Sequence, residues 1–301
     1  MRIILDGKPI TITGSFLHIA GIKAEEEHFY DVTSPERILQ ELKAQGLRVD
    51  LFTFWQRLPN IEPKFRYSLE WDNVAAVRIS TYEEWLKKQV HVNTRNKIKK
   101  AAKCGVEVKI VPFDDALVKG IVEIFNESRI RQGRPFAHFG EGFDKVKEEW
   151  SSDSERSEFL GAYLGEELVG FIKLLYAERF ARTSGTICML KHRDKAPMNA
   201  LIAKAVEVCA GKQLEFLVYG KFSYGKKGTD SLSEFKKHNG FEEIQVPRYY
   251  IPLTTKGRLA LGCGVHKGIL EALPQRLVRG LLSARGYWYR RRNAQPAMRS
   301  A

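Results

Sequence analysis

The sequence predicts an α/β protein on a mixed sheet with a basic C-terminal helical tail, and three observations carry that prediction. Residues 183–241 run strand, polar turn, helix, strand, loop, helix, which is a crossover and implies neighbouring parallel strands. Ser157–Tyr163 and Glu167–Leu175 are two β-rich runs around Leu164-Gly165-Glu166, which reads as a hairpin. A sheet holding both connections is mixed. From Thr254 to the end, ten Lys/Arg face a single acid, Glu271, a net of nine positive charges.

Taken in order, Ser34-Pro35-Glu36-Arg37 followed by Ile38, Leu39 and Leu42 predicts a capped helix ending near Gly46. Val49–Trp55 is β-branched and aromatic enough for a buried strand, Pro59 and Pro63 mark a loop, and Val74–Ile79 is a further strand. Thr81-Tyr82-Glu83-Glu84 has the form of a capping box leading into Trp85. His91–Lys103 carries Arg95, Lys97, Lys99, Lys100 and Lys103 with no acid, a helix whose charge is not self-neutralised. Val106–Ile110 alternates like a strand, and a long helix is expected from about Ala116 to Gln132, stopped by Gly133. Thr186–Leu190 is a strand, and Ala196-Pro197 opens a helix because proline suits a first turn. Leu201, Ile202, Ala205, Val206 and Cys209 then form one apolar stripe. A strand at Leu214–Tyr219, a helix closing on Phe235–Phe241 and a last strand at Arg248–Leu253 complete the series. The expected division is 1–103, 104–253 and a tail from 254 to 301.

The chain has 301 residues and a formal net charge of +13. That balance draws phosphate-rich partners, whether nucleic acid, nucleotide cofactor or anionic lipid. Cys104, Cys188, Cys209 and Cys263 lie far apart, which argues against a disulfide framework or zinc site, and the seven histidines have no metal-ligand spacing. Met1–Asp6 breaks into charge too early for a secretory leader, and no apolar run is long enough to span a bilayer. The expectation is a cytoplasmic protein. Between Leu270 and Leu282 the tail alternates apolar residues with Arg276 and Arg279 before Tyr287-Trp288-Tyr289, a pattern that fits peripheral contact with a membrane, a nucleic acid, or docking on the rest of the chain.

Five segments, in this order, resemble the FemAB-like branch of the GNAT acyltransferase superfamily: Thr94–Val108, Ile124–Arg129, Gly161–Gly170, Ala196–Leu201 and Phe235–Phe241. The resemblance covers roughly Trp71 to Leu253. It implies tandem GNAT-like lobes with mixed central sheets, the first degenerate, and a donor and acceptor that meet at a splay in the second sheet. It also implies transfer of an acyl group to an amine, from acetyl-CoA or another acyl-CoA, or from aminoacyl-tRNA. Members in exopolysaccharide and cell-envelope pathways suggest a small-molecule or nucleotide-linked amino-sugar acceptor. A non-catalytic adaptor for nucleic acid or anionic membrane is the competing class.

Acyl transfer to nitrogen requires donors for a developing oxyanion and a charge or proton for the leaving group. By position, the backbone N–H groups of Met189 and Leu190 are the oxyanion candidates. Arg193, Lys195, Ala196 and Asn199 border the turn where the resemblance places a donor pyrophosphate, although the usual glycines are absent. Phe235-Lys236 matches the family's Phe-Lys pattern, so Lys236 is the leading catalytic candidate; His192 and Asp194 are the nearest acid–base groups. Tyr219, Lys221, Tyr224 and Lys226, in a Gly/Lys/aromatic loop, suit a phosphate and a ring. Arg129 and Arg131 could clamp an anionic substrate. No metal is expected.

Overall fold

In the computed structural model, which describes residues 1–24, 26–223 and 231–267, the apolar runs pair into one long sheet. In chain order the elements are β1 (Arg2–Leu5), β2 (Lys8–Thr13), β3 (Ile19–Ile22), α1 (Pro35–Ala44), β4 (Leu51–Trp55) and β5 (Ser68–Arg78). Then come α2 (Tyr82–Glu84), α3 (Val92–Lys103), β6 (Val106–Val111), α4 (Asp115–Asn126), β7 (Ile130–Arg131), β8 (Arg134–Pro135) and α5 (Phe143–Trp150). The series continues with β9 (Ser157–Leu164), β10 (Glu167–Tyr176), β11 (Phe180–Cys188), α6 (Pro197–Gly211), β12 (Phe216–Val218), α7 (Ser231–His238), β13 (Glu242–Pro252) and α8 (Thr255–Gly262).

The main sheet runs β1-β2-β3-β4-β13-β5-β12-β11-β10-β9-β6. It is mixed, as expected: β9 and β10 form the hairpin, β11 pairs β12 in parallel, and β3 pairs β4 in parallel. The last strand lies between β4 and β5, so a late segment closes the sheet of the first half. The first fifty residues hold a three-stranded meander that the sequence pattern did not reveal. Its strands are four to six residues long, too short for their alternation to stand out.

Alternation along the strands separates two faces. Ala75, Val77, Ala181 and Leu217 face α6 and share a core with Leu201, Ile202, Ala205 and Val206. Their neighbours Val74, Ala76, Phe180 and Phe216 point the other way and pack with Trp55 and Leu58. On that second face α4 and α5 cover Phe159, Leu168 and Phe171. Each fully buried Leu or Ile of α6 contributes about 1.5–3 kcal/mol, which makes this helix a principal support of the second half.

Local chemistry explains the ends of the elements. Thr81 accepts from the Glu84 N–H, the expected cap, after which the chain widens into a π-helical turn, Trp85–Gln89. Arg95 spends its guanidinium on that turn, donating to the carbonyls of Lys87 (3.0 Å) and Val90 (2.8 Å), so one cation of the basic helix is structural. Lys97, Lys99, Lys100 and Lys103 are exposed. The expected helix to Gln132 stops instead at Asn126, whose amide caps it by donating to the carbonyls of Val122 and Glu141. The tail from residue 268 and the loop 224–230, with Tyr224 and Lys226, lie outside the described residues.

Candidate active site

The strands β11 and β12 pair over three residues only, Phe180–Arg182 with Phe216–Val218. Beyond Val218 the chain turns to β5 instead: the Tyr219 N–H donates to the Ala75 carbonyl and the Ala75 N–H to Gly220, each at 2.8 Å. The distal part of β11, Thr183–Cys188, therefore has β10 on one side and, among the described residues, no strand paired on the other, which leaves an open edge. A parted sheet of this kind exposes backbone donors inside the protein, where they count for more than in water.

Which donors face the gap follows from register. The Met189 N–H donates to the Val169 carbonyl at 2.8 Å, so it is turned towards β10 and away from the opening. Antiparallel alternation then turns the backbone groups of Cys188 and Thr186 to the open edge. Arg131 meets the Cys188 carbonyl there at 2.8 Å. Leu190 fails as an oxyanion donor for a different reason, because its N–H donates to a Glu127 carboxylate oxygen at 2.6 Å. The backbone groups turned to the open edge are thus those of Thr186 and Cys188, while the N–H groups of Met189 and Leu190 are already engaged. Sequence position alone could not choose between adjacent residues of opposite orientation.

Lys236 reaches the segment by which the chain leaves β11 for β5. It is 1 % exposed, its ammonium donates to the Lys221 carbonyl, and it stands 5.0 Å from the centre of the Tyr219 ring. The loop that receives it is clamped to β5. The Lys221 ammonium is 2.9 Å from Asp72, the Ser223 N–H donates to the Asn73 side chain at 2.9 Å, and Asp72 also receives Arg248 at 3.1 Å. Burial alone would raise the Asp72 carboxyl, but Arg248 and Lys221 outweigh it and hold it below the usual range. The charge of Lys221 is therefore committed to Asp72, which weighs against the expected substrate contact, whereas Tyr219 does join Lys236. Gly240, at φ +81°, ends the helix of Lys236 in a conformation that favours glycine, with the Trp85 indole N–H donating to the Asn239 carbonyl beside it.

The turn between β11 and α6 is held by a carboxylate the sequence did not single out. Glu127 accepts from the N–H groups of Leu190 and Lys191 and from Arg131, at 2.6, 2.8 and 3.1 Å. Arg131 is mostly buried, donates also to Ile124, and has its affinity for the proton lowered by burial. It braces the end of β11 and is not available to grip a substrate. Arg129 is exposed over the Phe139 ring, two residues past the Glu127 cap of α4. His192 is not an available base either: one ring nitrogen lies 2.9 Å from Glu167 and the other 3.1 Å from the Lys195 ammonium. Asp194 and Arg193 are exposed on the turn.

Ala196 takes a left-handed conformation (φ 56°) and begins α6 with no side-chain cap, so the first helical N–H groups face the turn that carries Arg193 and Lys195. Asn199, expected to touch a donor, is buried and gives its amide to Asn239 at 3.1 Å, tying the start of α6 to the end of α7. The basic helix α3 packs against α6 and beside the Arg193–Lys195 turn, so its exposed lysines and that turn share one side of the molecule. Among the described residues, His138, Glu141 and Glu149 could approach a cation, but the Lys145 ammonium already sits on both glutamates. A cavity of about 480 Å³ lined by Ile110, Phe113, Trp150 and Phe159 opens at the β6 edge, away from the gap. No helix among the described residues is long and apolar enough to cross a membrane.

The fold recurs in solved structures. The C-terminal domain (DUF2156) of an Agrobacterium fabrum protein superposes with a TM-score of 0.57 at 14% identity, covering 87% of this chain and 86% of that one. L-PGS from Bacillus licheniformis gives 0.57 at 13% identity over 86% of each chain. FemX gives 0.50 at 12% identity over 82% of this chain and 87% of its own. At such identities the likeness is one of fold. No family model matches the chain, and no curated protein matches it.

Proposed function

We propose that this chain, which shares its fold with FemX and with the Agrobacterium fabrum DUF2156 domain, described as that of a lysylphosphatidylglycerol synthetase, is a GNAT-type N-acyltransferase acting at the gap between β11 and β12. One observation carries the reading: a buried lysine held by the segment that leaves the edge of β11, on a helix whose end is tied through Asn239 to the uncapped start of α6 and its two cations. In that arrangement the acceptor amine attacks the carbonyl carbon of the donor. The oxyanion that forms is met by N–H groups on the open edge of β11; as it collapses the C–S or C–O bond breaks, the departing atom takes a proton from the Lys236 ammonium, and the cationic nitrogen of the new amide returns one to the lysine. The start of α6, with Arg193 and Lys195, suits the donor's phosphates. The preferred donor is acetyl-CoA or another acyl-CoA, and the preferred acceptor an amino sugar or related cell-envelope amine.

A second donor, aminoacyl-tRNA, is favoured by one specific feature: the exposed lysines of α3 extend the basic turn into a surface larger than CoA would need. Incubating the protein with labelled acetyl-CoA or labelled aminoacyl-tRNA and an amine panel separates the donors. Transfer from one, reduced at least about 100-fold by Lys236→Met, supports the corresponding reading. Absence of transfer from both, with tRNA or vesicle binding retained, would sink the enzyme proposal and leave an adaptor.

A further inference from the structure

The long sheet ends in two edges, β1 and β6, and they are not alike. β1 has four residues, its Arg2 is held by Glu26, and the amino terminus beside it donates to the Ile12 carbonyl. β6 has six residues and pairs β9 without a bulge from Val106 to Val111. Among the described residues it has no strand on its outer side. Natural edges are blunted by shortness, a bulge or an internal proline. β6 has none of these, since Pro112 follows its last residue. Its side chains also complement their own reverse order: Val106, Val108 and Ile110 alternate with Glu107 and Lys109. Val106 is buried in the core beneath α6, Val108 is half-buried and Ile110 is 50% exposed, so cover thins along the strand. Glu107 and Lys109 project from the other face and are exposed. Lys109 rests 4.8 Å from the centre of the Tyr163 ring, and among the described residues neither charge makes an ion pair.

An antiparallel pairing of β6 with itself must oppose backbone groups of the same orientation, so a residue lies on the twofold axis. Centring on Glu107 sets it against the partner's Glu107, and centring on Lys109 sets it against the partner's Lys109. Like charges directly opposite repel. Centring on Val108 instead places Glu107 opposite the partner's Lys109, and Lys109 opposite the partner's Glu107. Val106 then faces the partner's Ile110 at each end, so the covered end of one strand lies beside the bare end of the other. Charge and cover therefore select the same register.

We infer that β6 is a docking edge for a second copy of this chain, an isologous antiparallel pair of β6 strands with Val108 on the twofold axis. It stands independently of the transferase reading, because β9, β10 and β11 separate this edge from the gap and its test reads association alone. The full chain is followed by sedimentation velocity over a concentration series, at a salt concentration that screens repulsion between two chains of net charge +13. The wild-type chain should pass from monomer to dimer. Glu107→Lys and Lys109→Glu should each weaken the dimer about tenfold, because symmetry converts two attractive pairs into two repulsive ones. The double exchange of both residues should restore it. The single changes move the net charge in opposite directions, so diffuse repulsion between basic chains would shift them oppositely. Val108→Cys should give a cross-linked dimer on mild oxidation that the wild-type chain does not, since opposed Cα atoms lie within disulfide reach. A wild-type chain that stays monomeric throughout overturns the inference, whatever else covers the edge. A dimer that both single changes leave intact, or that they shift in opposite directions, overturns it too.

Discussion

Two buried lysines invite comparison. Lys173 and Lys236 are 3% and 1% exposed, both donate to backbone carbonyls, and both lie near an aromatic ring. Lys173 projects from the middle of β10, where β9 and β11 flank it, and closes the end of α5 by donating to the carbonyls of Trp150 (2.9 Å) and Ser152 (2.5 Å). Burial lowers its affinity for a proton, yet nothing opens towards it in the sheet. Lys236 stands where the sheet has parted, over a loop clamped to β5. Burial of a lysine is thus a poor mark of chemistry by itself. What distinguishes the two is whether backbone groups next to the ammonium remain unpaired by neighbouring strands.

The comparison makes its largest demand on Lys236→Met. Turnover should fall about 10²–10³-fold, the loss typical of one preorganised electrostatic donor, while the melting temperature moves less than in the partner variant. Lys173→Met should behave in the opposite way. Two carbonyls at the end of α5 lose their donor, so unfolding in urea should show a loss of about 2 kcal/mol, with turnover per folded molecule unchanged. An exchange of these outcomes would break the comparison.

Smaller effects sharpen it. Glu127→Gln weakens the acceptor that holds the Leu190 and Lys191 N–H groups and Arg131. The expected loss is about 1–2 kcal/mol, seen as faster hydrogen exchange at those two amides and a raised KM for the donor. Unchanged exchange would show that the turn is held otherwise. The smallest effect concerns Asp50 in the first half. Burial pushes its carboxyl up, but the His18 N–H, Thr254 hydroxyl and Lys256 ammonium outweigh it and leave a value of about 2. An unfolded aspartate titrates near pH 4, so this stabilisation is complete above pH 4 and is lost as pH falls towards 2. Asp50→Asn should flatten acid unfolding across that window, and an unaltered acid limb would contradict the assignment.

Much of the fold was legible because it follows from local periodicity. The hairpin around Gly165, the helix opened by Pro35 (where Ser34 makes no side-chain cap), the Thr81 cap, and the stripe of α6 each announce themselves within a dozen residues. The candidate site was legible in part. Phe235-Lys236 stood in a recognisable motif and Tyr219 in a suggestive loop, and the structure puts them together. His192, Arg131, Lys221 and Asn199 looked equally available on paper. Their partners, Glu167, Cys188, Asp72 and Asn239, are 25 to 149 residues away and have no signature in sequence. Glu127 went unnoticed for the same reason, since a helical glutamate reads as solvated until the turn at Leu190 is folded onto it.

The sequence by itself determined where most strands and helices after the first fifty residues form, that the sheet is mixed, and which lysine lies four residues before a helix-ending glycine. These depend on side-chain spacing and backbone preference, which act over short distances. Only the tertiary structure decided which edge of β11 is open, which backbone N–H groups face it, and which charges are already spent on one another. Those outcomes depend on hydrogen-bond register and on contacts between remote segments. A shift of one residue reverses every donor along a strand, and a distant carboxylate can neutralise a cation that sequence alone presents as unspent.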